Sequence, residues 1–437
     1  MQAVLLAIGD ELTLGQTVDT NSAWLAAQLA RLGIPTRYHL TLPDDAQAIA
    51  QAIAQAADDA ELVIITGGLG PTEDDLTRQA LAQALDQPLV LDEASLERIQ
   101  QRFALRSVAM PPQNRIQAMH PRTTRMIPND HGTAPGIRAQ FKRATLYATP
   151  GVPGEMTRMF RQSIEPELRA VATHQGVILT ATIHTFGQGE SSVAQKLGPL
   201  MDRQRNPKVG TTVTNGVVSV RIRSEFSSAQ EAQAQLDHTT AQVRERLGAI
   251  VYGQENQTLA QSLLDLLSAK DQHLATAESC TGGLLGKMIT DVPGSSERYL
   301  GGWVTYSNAM KRDQLGVPES LLAAHGAVSE PVARAMAEGA IRHCPGATVS
   351  LAITGIAGPE GGTPEKPVGT VWVAMGWTAP AAPDRVQTEA LLFRLMGDRE
   401  AIRDWSAKCA LQMLRLHLLG QPLELIAWAQ RPATPAR

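Results

Sequence analysis

Residues 61–77 read ELVIITGGLGPTEDDLT. An apolar, β-branched run too short for a helix opens into Gly67, Gly68 and Gly70 and then into Glu73, Asp74 and Asp75. Such a run reads as a strand buried on both faces. Upstream, AVLLAI (3–8) is a second run of the same kind. Between them NSAWLAAQLARLG (21–33) sets Leu25, Leu29 and Leu32 on one helical face and stops at Gly33. Strand, helix and strand in that order are the signature of a parallel sheet covered by helices, so the expected fold class is α/β.

At 437 residues the chain exceeds what one hydrophobic core organises, and two or three domains are expected. Its 43% apolar and 19% charged residues are the balance of a globular protein. A net charge of −4 and only 4% aromatic residues argue against a nucleic-acid reader. No run approaches the length of a membrane span, and MQAVLLAIGDEL lacks the basic start of a signal peptide, so a cytoplasmic location without membrane partners is expected. Cys280, Cys344 and Cys409 are too widely spaced for a disulfide framework or a cysteine zinc site.

The glycines of 66–77 allow backbone N–H groups to approach a phosphate, and the three following carboxylates would repel it unless a divalent cation lay between. The competing reading is that the acids cap the next helix. GDELTLGQTVDTN (9–21) adds Asp10, Glu11, Asp19 and Asn21 after the first strand, at the edge where open α/β sheets bind ligands. Helix capping is the favoured expectation for Asn21. ATPGVPGEM (148–156) offers a turn that could close this pocket.

Texture changes near residue 170. GVILTATIHTFG (176–187), SSVAQKLGPLM (191–201), VGTTVTNGVVSVRIR (209–223) and the Ala/Gln-rich 227–247 read as strand, helix, hairpin and helix, the hairpin turning at Asn215 and Gly216. The FGQGES loop lacks the GxxG spacing of a nucleic-acid clamp. From Gln257 the α/β pattern restarts, with strands LATAES, WVTYSN (303–308) and TVSLAITG (348–355), and a closing helix over 397–419. Ser329 is expected to cap the helix of 329–344.

LATAESCTGGLLGKMIT (274–290) places Ser279, Cys280 and Thr281 at a strand-to-helix turn followed by Gly282 and Gly283. Nucleophile, phosphate cradle and capped helix start all remain open from the residues alone. Tyr306 and Ser307 end the WVTY run, Lys311 follows one helical turn on, Gly355 and Gly358 stand in a loop suited to presenting N–H groups, and Arg399 opens the last helix as a candidate anion clamp. A desolvated lysine can take a serine proton, with tyrosine orienting it.

AESCTGG, GGWVTYSNAMKRDQLGV, HGAVSEP, ITGIAGPEGGTPEKPVGTVW and GDRE resemble the C-terminal domain of the CinA family, the nicotinamide mononucleotide deamidases. GDEL, DTN, TGGLGPTEDDLTR, NRIQAM and HGTAPG resemble the family's N-terminal, MogA-like (molybdopterin-binding-like) domain. The resemblance implies a three-layer α/β pyrophosphatase domain over 1–170, a KH-like α+β domain over 171–252 and an α/β deamidase domain over 253–421, while the polar, Pro-rich end of the chain, QRPATPAR, leads to the expectation of a flexible tail over 422–437. It implies hydrolysis of nicotinamide mononucleotide to the acid and ammonia by Ser279 with Tyr306 and Lys311. Thr281, Gly282, Gly283, Ser307, Gly355, Gly358 and Arg399 are the substrate-binding candidates there, and the deamidase needs no cofactor. For the N-terminal domain it implies metal-dependent cleavage of ADP-ribose, with Gly67, Gly68 and Gly70 at the substrate and Asp74, Asp75 and Glu11 at a divalent metal ion. A homodimer is expected. The alternative is a non-catalytic cofactor-binding or scaffold protein.

Overall fold

The computed structural model describes residues 1–171, 177–379 and 382–430. Two compact units emerge, one of Met1–Leu179 with Ser224–Ala234, the other of Thr180–Arg223 with Gln235–Arg437. Among the described residues no helix is long and apolar enough to cross a membrane.

The first unit holds a six-stranded sheet in the order Thr36–Leu42, Ala3–Ile8, Leu62–Thr66, Ala144–Thr149, Gly136–Phe141, Arg125–Ile127. The first four strands are parallel and the last two run antiparallel. Alternation along the strands sorts side chains to two faces. Val4, Leu6, Ile8, Val63 and Ile65 pack with Ile49 and Ile53 of the helix Ala46–Asp59. Ala3, Leu5, Leu62 and Ile64 pack with Leu25 and Leu29 of the helix Thr20–Arg31 and with Met156 and Phe160. The two apolar runs at 3–8 and 61–66 are thus central strands, which is why they carry no polar face.

The middle segment runs strand, helix, two strands, helix, strand, and its four-stranded sheet has the order Lys208–Thr214, Val217–Phe226, Val177–Thr185, Val251–Gln254. Asn215 and Gly216 form the hairpin turn with φ of 46° and 77°.

The C-terminal sheet repeats the logic of the first, in the order Tyr299–Val304, Leu274–Glu278, Val349–Gly355, Thr370–Ala379, Ala382–Arg394, Ala429–Gln430. Three parallel strands are followed by three antiparallel ones. Helix Glu330–Arg342 covers one face, and Leu259–Ala269 with Arg399–Leu418 covers the other.

Three expectations shift. The strand expected at 303–308 spans Tyr299–Val304, because the glycines of 301–302 sit inside it and Ser307 instead caps the helix Asn308–Leu315, accepting from Met310 N at 3.2 Å. Ser329 occupies the N-cap position, but its hydroxyl donates to Gly326 O at 2.8 Å and caps no helical amide. The stretch after 421 is not free throughout: Leu423 and Ile426 are buried and Ala429–Gln430 pairs with Leu392 and Phe393, while 431–437 lies outside the described residues.

The helix Arg399–Leu418 is apolar around most of its second half because it is enclosed on two sides. Gln412 Nε2 donates to Phe186 O at 3.0 Å, and the buried Arg415 guanidinium donates to Ala249 O at 2.7 Å, to Val251 O and to Ser262 Oγ at 3.1 Å. Burial lowers the Arg415 pKa to about 10. Replacing Arg415 with Leu leaves three buried acceptors unpaired. The expected cost is about 2–4 kcal/mol, read as a lowered denaturation midpoint, and Arg415→Lys recovers little because a point charge cannot span the fork.

Candidate active site

Two sites lie at the carboxyl ends of the two parallel sheets. In the first unit a cavity of about 400 Å3 is lined by Glu11, Asp44, Asp74, Asp75 and Glu155 together with the glycine loop. The loop is held from within. Asp75 accepts from Gly70 N at 2.7 Å, from Thr72 N at 2.9 Å and from the Thr72 hydroxyl. The fully buried Arg78 donates to Leu69 O and to Gly70 O at 3.0 Å, and Thr77 Oγ1 donates to Gly67 O at 2.8 Å. Gly67 has φ of +104°, and a Cβ there would lie 2.2 Å from Ile8 O, so only glycine fits.

Two expectations are corrected here. Asp75 organises the loop and has no oxygen left unengaged, and the Gly67 and Gly70 amides already have acceptors in Thr149 O and Asp75, which leaves Gly68 of the three for a ligand. Asn21 caps nothing: its Nδ2 joins Thr66 Oγ1 (3.0 Å) to Gly151 O (2.8 Å), tying two strand ends together, while Asp19 is the cap of that helix. Asn21 Oδ1 is buried without a partner.

The remaining acids suit a hard divalent cation by donor type. Asp44 is held above the usual carboxylate range, first by burial and then by the charges of Asp10, Glu11 and Asp74, a repulsion that a cation relieves. Among the described residues no three His, Cys, Asp or Glu side chains converge as a closed cage. A cation delivered with a phosphate substrate needs only one or two carboxylates.

In the second unit, Ser279 follows the strand Leu274–Glu278 directly. Lys311 Nζ lies 3.0 Å from Ser279 Oγ and donates to Thr305 O at 2.8 Å. Lys311 is 1% exposed and Ser279 8%. Burial pulls the Lys311 pKa down to about 8. The same burial pushes the Cys280 thiol up to about 12, so it stays protonated. Glu278 is buried and accepts from Gly283 N (3.0 Å), Leu285 N (3.0 Å) and Gly286 N (2.8 Å), satisfying the first amides of helix Leu284–Thr290. The turn beside Ser279 is therefore fixed before any substrate arrives.

Tyr306 is 61% exposed, and its hydroxyl accepts from Arg399 at 2.9 Å, whereas Ser279 is held by Lys311. Arg399 also donates to Gly358 O at 2.6 Å, and Arg403 donates twice to Thr281 O, at 3.2 and 2.7 Å. The 354–362 loop thus offers a carbonyl to Arg399 where N–H groups were expected, and Gly355 packs against Thr370 and Val371 within the sheet. Ser307 serves as the cap that sets the helix carrying Lys311. Gly282 and Gly283 form the turn, and the Thr281 hydroxyl is buried without a partner.

Comparison with known proteins matches residues 4–170 to the "Probable molybdopterin binding domain", 180–253 to the "Damage-inducible protein CinA KH domain" and 256–418 to the "CinA C-terminal domain". The CinA-like protein of Gemmatimonas aurantiaca is 42% identical over 95% of this chain and 96% of its own. That of Geobacter sulfurreducens is 42% identical over 96% and 100%. The chain belongs to the CinA family. A solved structure titled competence/damage inducible protein CihA from Agrobacterium tumefaciens is 39% identical, covering 37% of this chain and 93% of its own with a TM-score of 0.34.

Within this CinA chain, Glu278, Thr305, Arg403 and Arg78 escape the reading by sequence. A glutamate immediately before a glycine-rich helix start is the signal that could have revealed Glu278, since a carboxylate there meets unpaired amides. Nothing local marks Thr305, whose backbone carbonyl is the group in use.

The depressed Lys311 pKa is also a stability statement. The unfolded lysine titrates near 10.5 and the folded one near 8, so between those values the unfolded state binds more protons and stability rises with pH. Measured against Lys311→Met, the parent is expected to gain about 2 kcal/mol between pH 7 and about pH 9.5. Parallel unfolding curves at the two pH values check this.

Proposed function

We propose that the C-terminal domain hydrolyses the carboxamide of nicotinamide mononucleotide to the carboxylate and ammonia, with Ser279 as nucleophile and Lys311 as its base. The observation that carries this reading is a buried amine with a lowered pKa 3.0 Å from a buried serine hydroxyl, and among the described residues no carboxylate bonds to that amine. As the neutral amine, Lys311 keeps two N–H bonds, one directed at Thr305 O, and turns its lone pair to Ser279. It takes the hydroxyl proton as Oγ bonds to the carboxamide carbon. The resulting ammonium returns that proton to the departing nitrogen, which leaves as ammonia. Water then attacks the seryl ester, giving its proton to Lys311, and the acid departs as the proton returns to Ser279 Oγ. The amides of Gly283, Leu285 and Gly286 are taken by Glu278, so the developing oxyanion is left to other donors of the turn, of which the Cys280 and Thr281 amides are the nearest in the chain. Tyr306 is assigned to orienting Arg399 at the mouth.

For the N-terminal domain the reading is cleavage of the pyrophosphate of ADP-ribose. A divalent cation delivered with the substrate and held by one or two of Glu11, Asp44 and Asp74 would supply charge neutralisation there. The chain's own part is to fix the loop through Asp75 and Arg78 and to offer the Gly68 amide. Together the two activities place the chain in pyridine-nucleotide recycling.

Ammonia release from nicotinamide mononucleotide by the purified protein tests the first reading and separates it from a binding or scaffold role. Ser279→Ala is expected to abolish release and Cys280→Ala to keep most of it. Lys311→Arg should lose about 10²- to 10⁴-fold, because guanidinium holds its proton. In the parent the rate should climb with pH through a limb near 8, as the amine becomes neutral. A Cys280→Ala enzyme that is dead beside an active Ser279→Ala would refute the assignment.

The two N-terminal aspartates should part company. Asp74→Asn is expected to cut ADP-ribose cleavage at least about tenfold without loss of stability, since its side chain is exposed. Asp75→Asn should also lower the melting temperature, by replacing the acceptor of one of the two loop amides with a donor, at about 1–3 kcal/mol. EDTA should stop this activity and spare ammonia release.

A further inference from the structure

The hairpin of the middle segment ends on the helix that carries Arg399. Lys408 Nζ donates to Asn215 O at 3.0 Å and to Asp404 at 2.6 Å. Gly216 lies so close to Trp405 that a Cβ would stand 2.8 Å from its ring. The turn is fixed at backbone level on the second and third helical turns, directly after Arg399 and Arg403.

A cavity of about 580 Å3 opens there, lined by Asn215 with Leu284, Arg399, Glu400, Arg403 and Asp404. Three acids and two arginines line it, and the difference lies in their partners. Asp398 caps the helix through Ala401 N, and Asp404 is paired with Lys408. Arg399 and Arg403 donate to neutral oxygens, those of Gly358, Tyr306 and Thr281, and among the described residues neither pairs with a carboxylate. Glu400 is exposed on the rim, where solvent screens it. The two arginines also stand between this cavity and the nucleophile loop, since Arg403 holds Thr281 O and Arg399 holds the Tyr306 hydroxyl.

We propose that this cavity receives the phosphate end of the amidase substrate and that the middle domain's hairpin, through Asn215, forms its outer wall. The proposal rests on the amidase reading above and adds to it a place for the substrate's phosphate and a part for the hairpin in forming it. A mononucleotide separates base from phosphate by a ribose, so a carboxamide at Ser279 sends its phosphate past the arginines. Two guanidinium groups without a carboxylate partner among the described residues then meet the dianion, and the Asn215 carboxamide adds an uncharged N–H donor from the wall. The volume lies within the range of small-ligand pockets. The middle domain thereby acquires a role that needs no nucleic acid: its loop 186–189, where a KH clamp would face RNA, is covered by the chain's own segment at 425–427, with Ala427 N donating to Gly187 O at 2.7 Å.

Asn215→Asp is the decisive variant, because aspartate tolerates the left-handed backbone of this turn and places a negative charge at the wall. Binding is measured by titration calorimetry in the full-length Ser279→Ala background, where turnover does not enter. The Kd for nicotinamide mononucleotide should rise about tenfold, while that for nicotinamide riboside, which lacks the phosphate, should move less than about twofold. Lys408→Met, which releases the tip from the helix, should weaken mononucleotide binding about threefold in the same selective way. An unchanged mononucleotide Kd in Asn215→Asp, or an equal rise for both ligands, overturns the proposal. Ammonia release by the parent is scored separately, so that a failed amidase reading is not mistaken for a failed hairpin.

Discussion

A single buried amine sets the terms for the C-terminal domain. Lys311 is enclosed with the Ser279 hydroxyl and the Thr305 carbonyl as its partners, and an ammonium so placed loses hydration that two neutral oxygens replace only in part. The site therefore favours the neutral amine more than water does. Ser307 at the cap sets where this lysine falls, and the strand Leu274–Glu278 sets where the serine falls. Strand pairing between Leu274–Glu278 and Tyr299–Val304 brings the two within reach.

Both sheets solve the same problem in the same way. A glycine-rich loop leaving a parallel strand exposes amides that must find acceptors, and in each case one carboxylate gathers them. Asp75 takes the amides of Gly70 and Thr72, and Glu278 takes those of Gly283, Leu285 and Gly286. A charged acceptor serving several amides makes strong hydrogen bonds and holds the loop rigid. What differs is the environment beyond the loop. The first opens on acids that suit a cation, the second on a buried amine and two arginines.

The helix Arg399–Leu418 joins these features. Its first turns carry the arginines at the site, and its later turns anchor the middle segment through Gln412 and Arg415. An arginine buried at that depth is tolerated because its fork meets carbonyls of Ala249 and Val251 together with Ser262 Oγ. One helix thus contacts both the middle segment and the candidate site.

The α/β class, the two parallel cores, the hairpin at Asn215–Gly216 and the candidacy of Ser279, Lys311 and Arg399 were legible in the sequence. Each depends on local patterns: apolar runs buried on both faces, glycines at turns, and motifs long enough to carry a family resemblance. The sequence could not assign the carboxylates. Asp74 and Asp75 are neighbours of the same chemical type, yet one faces solvent and the other is engaged by its own loop. Nor could it distinguish Tyr306 as a partner of Arg399 from Tyr306 as a partner of Ser279. Those outcomes depend on which groups lose water and which backbone amides lie within 3 Å, and both are fixed only when elements distant in the chain pack together.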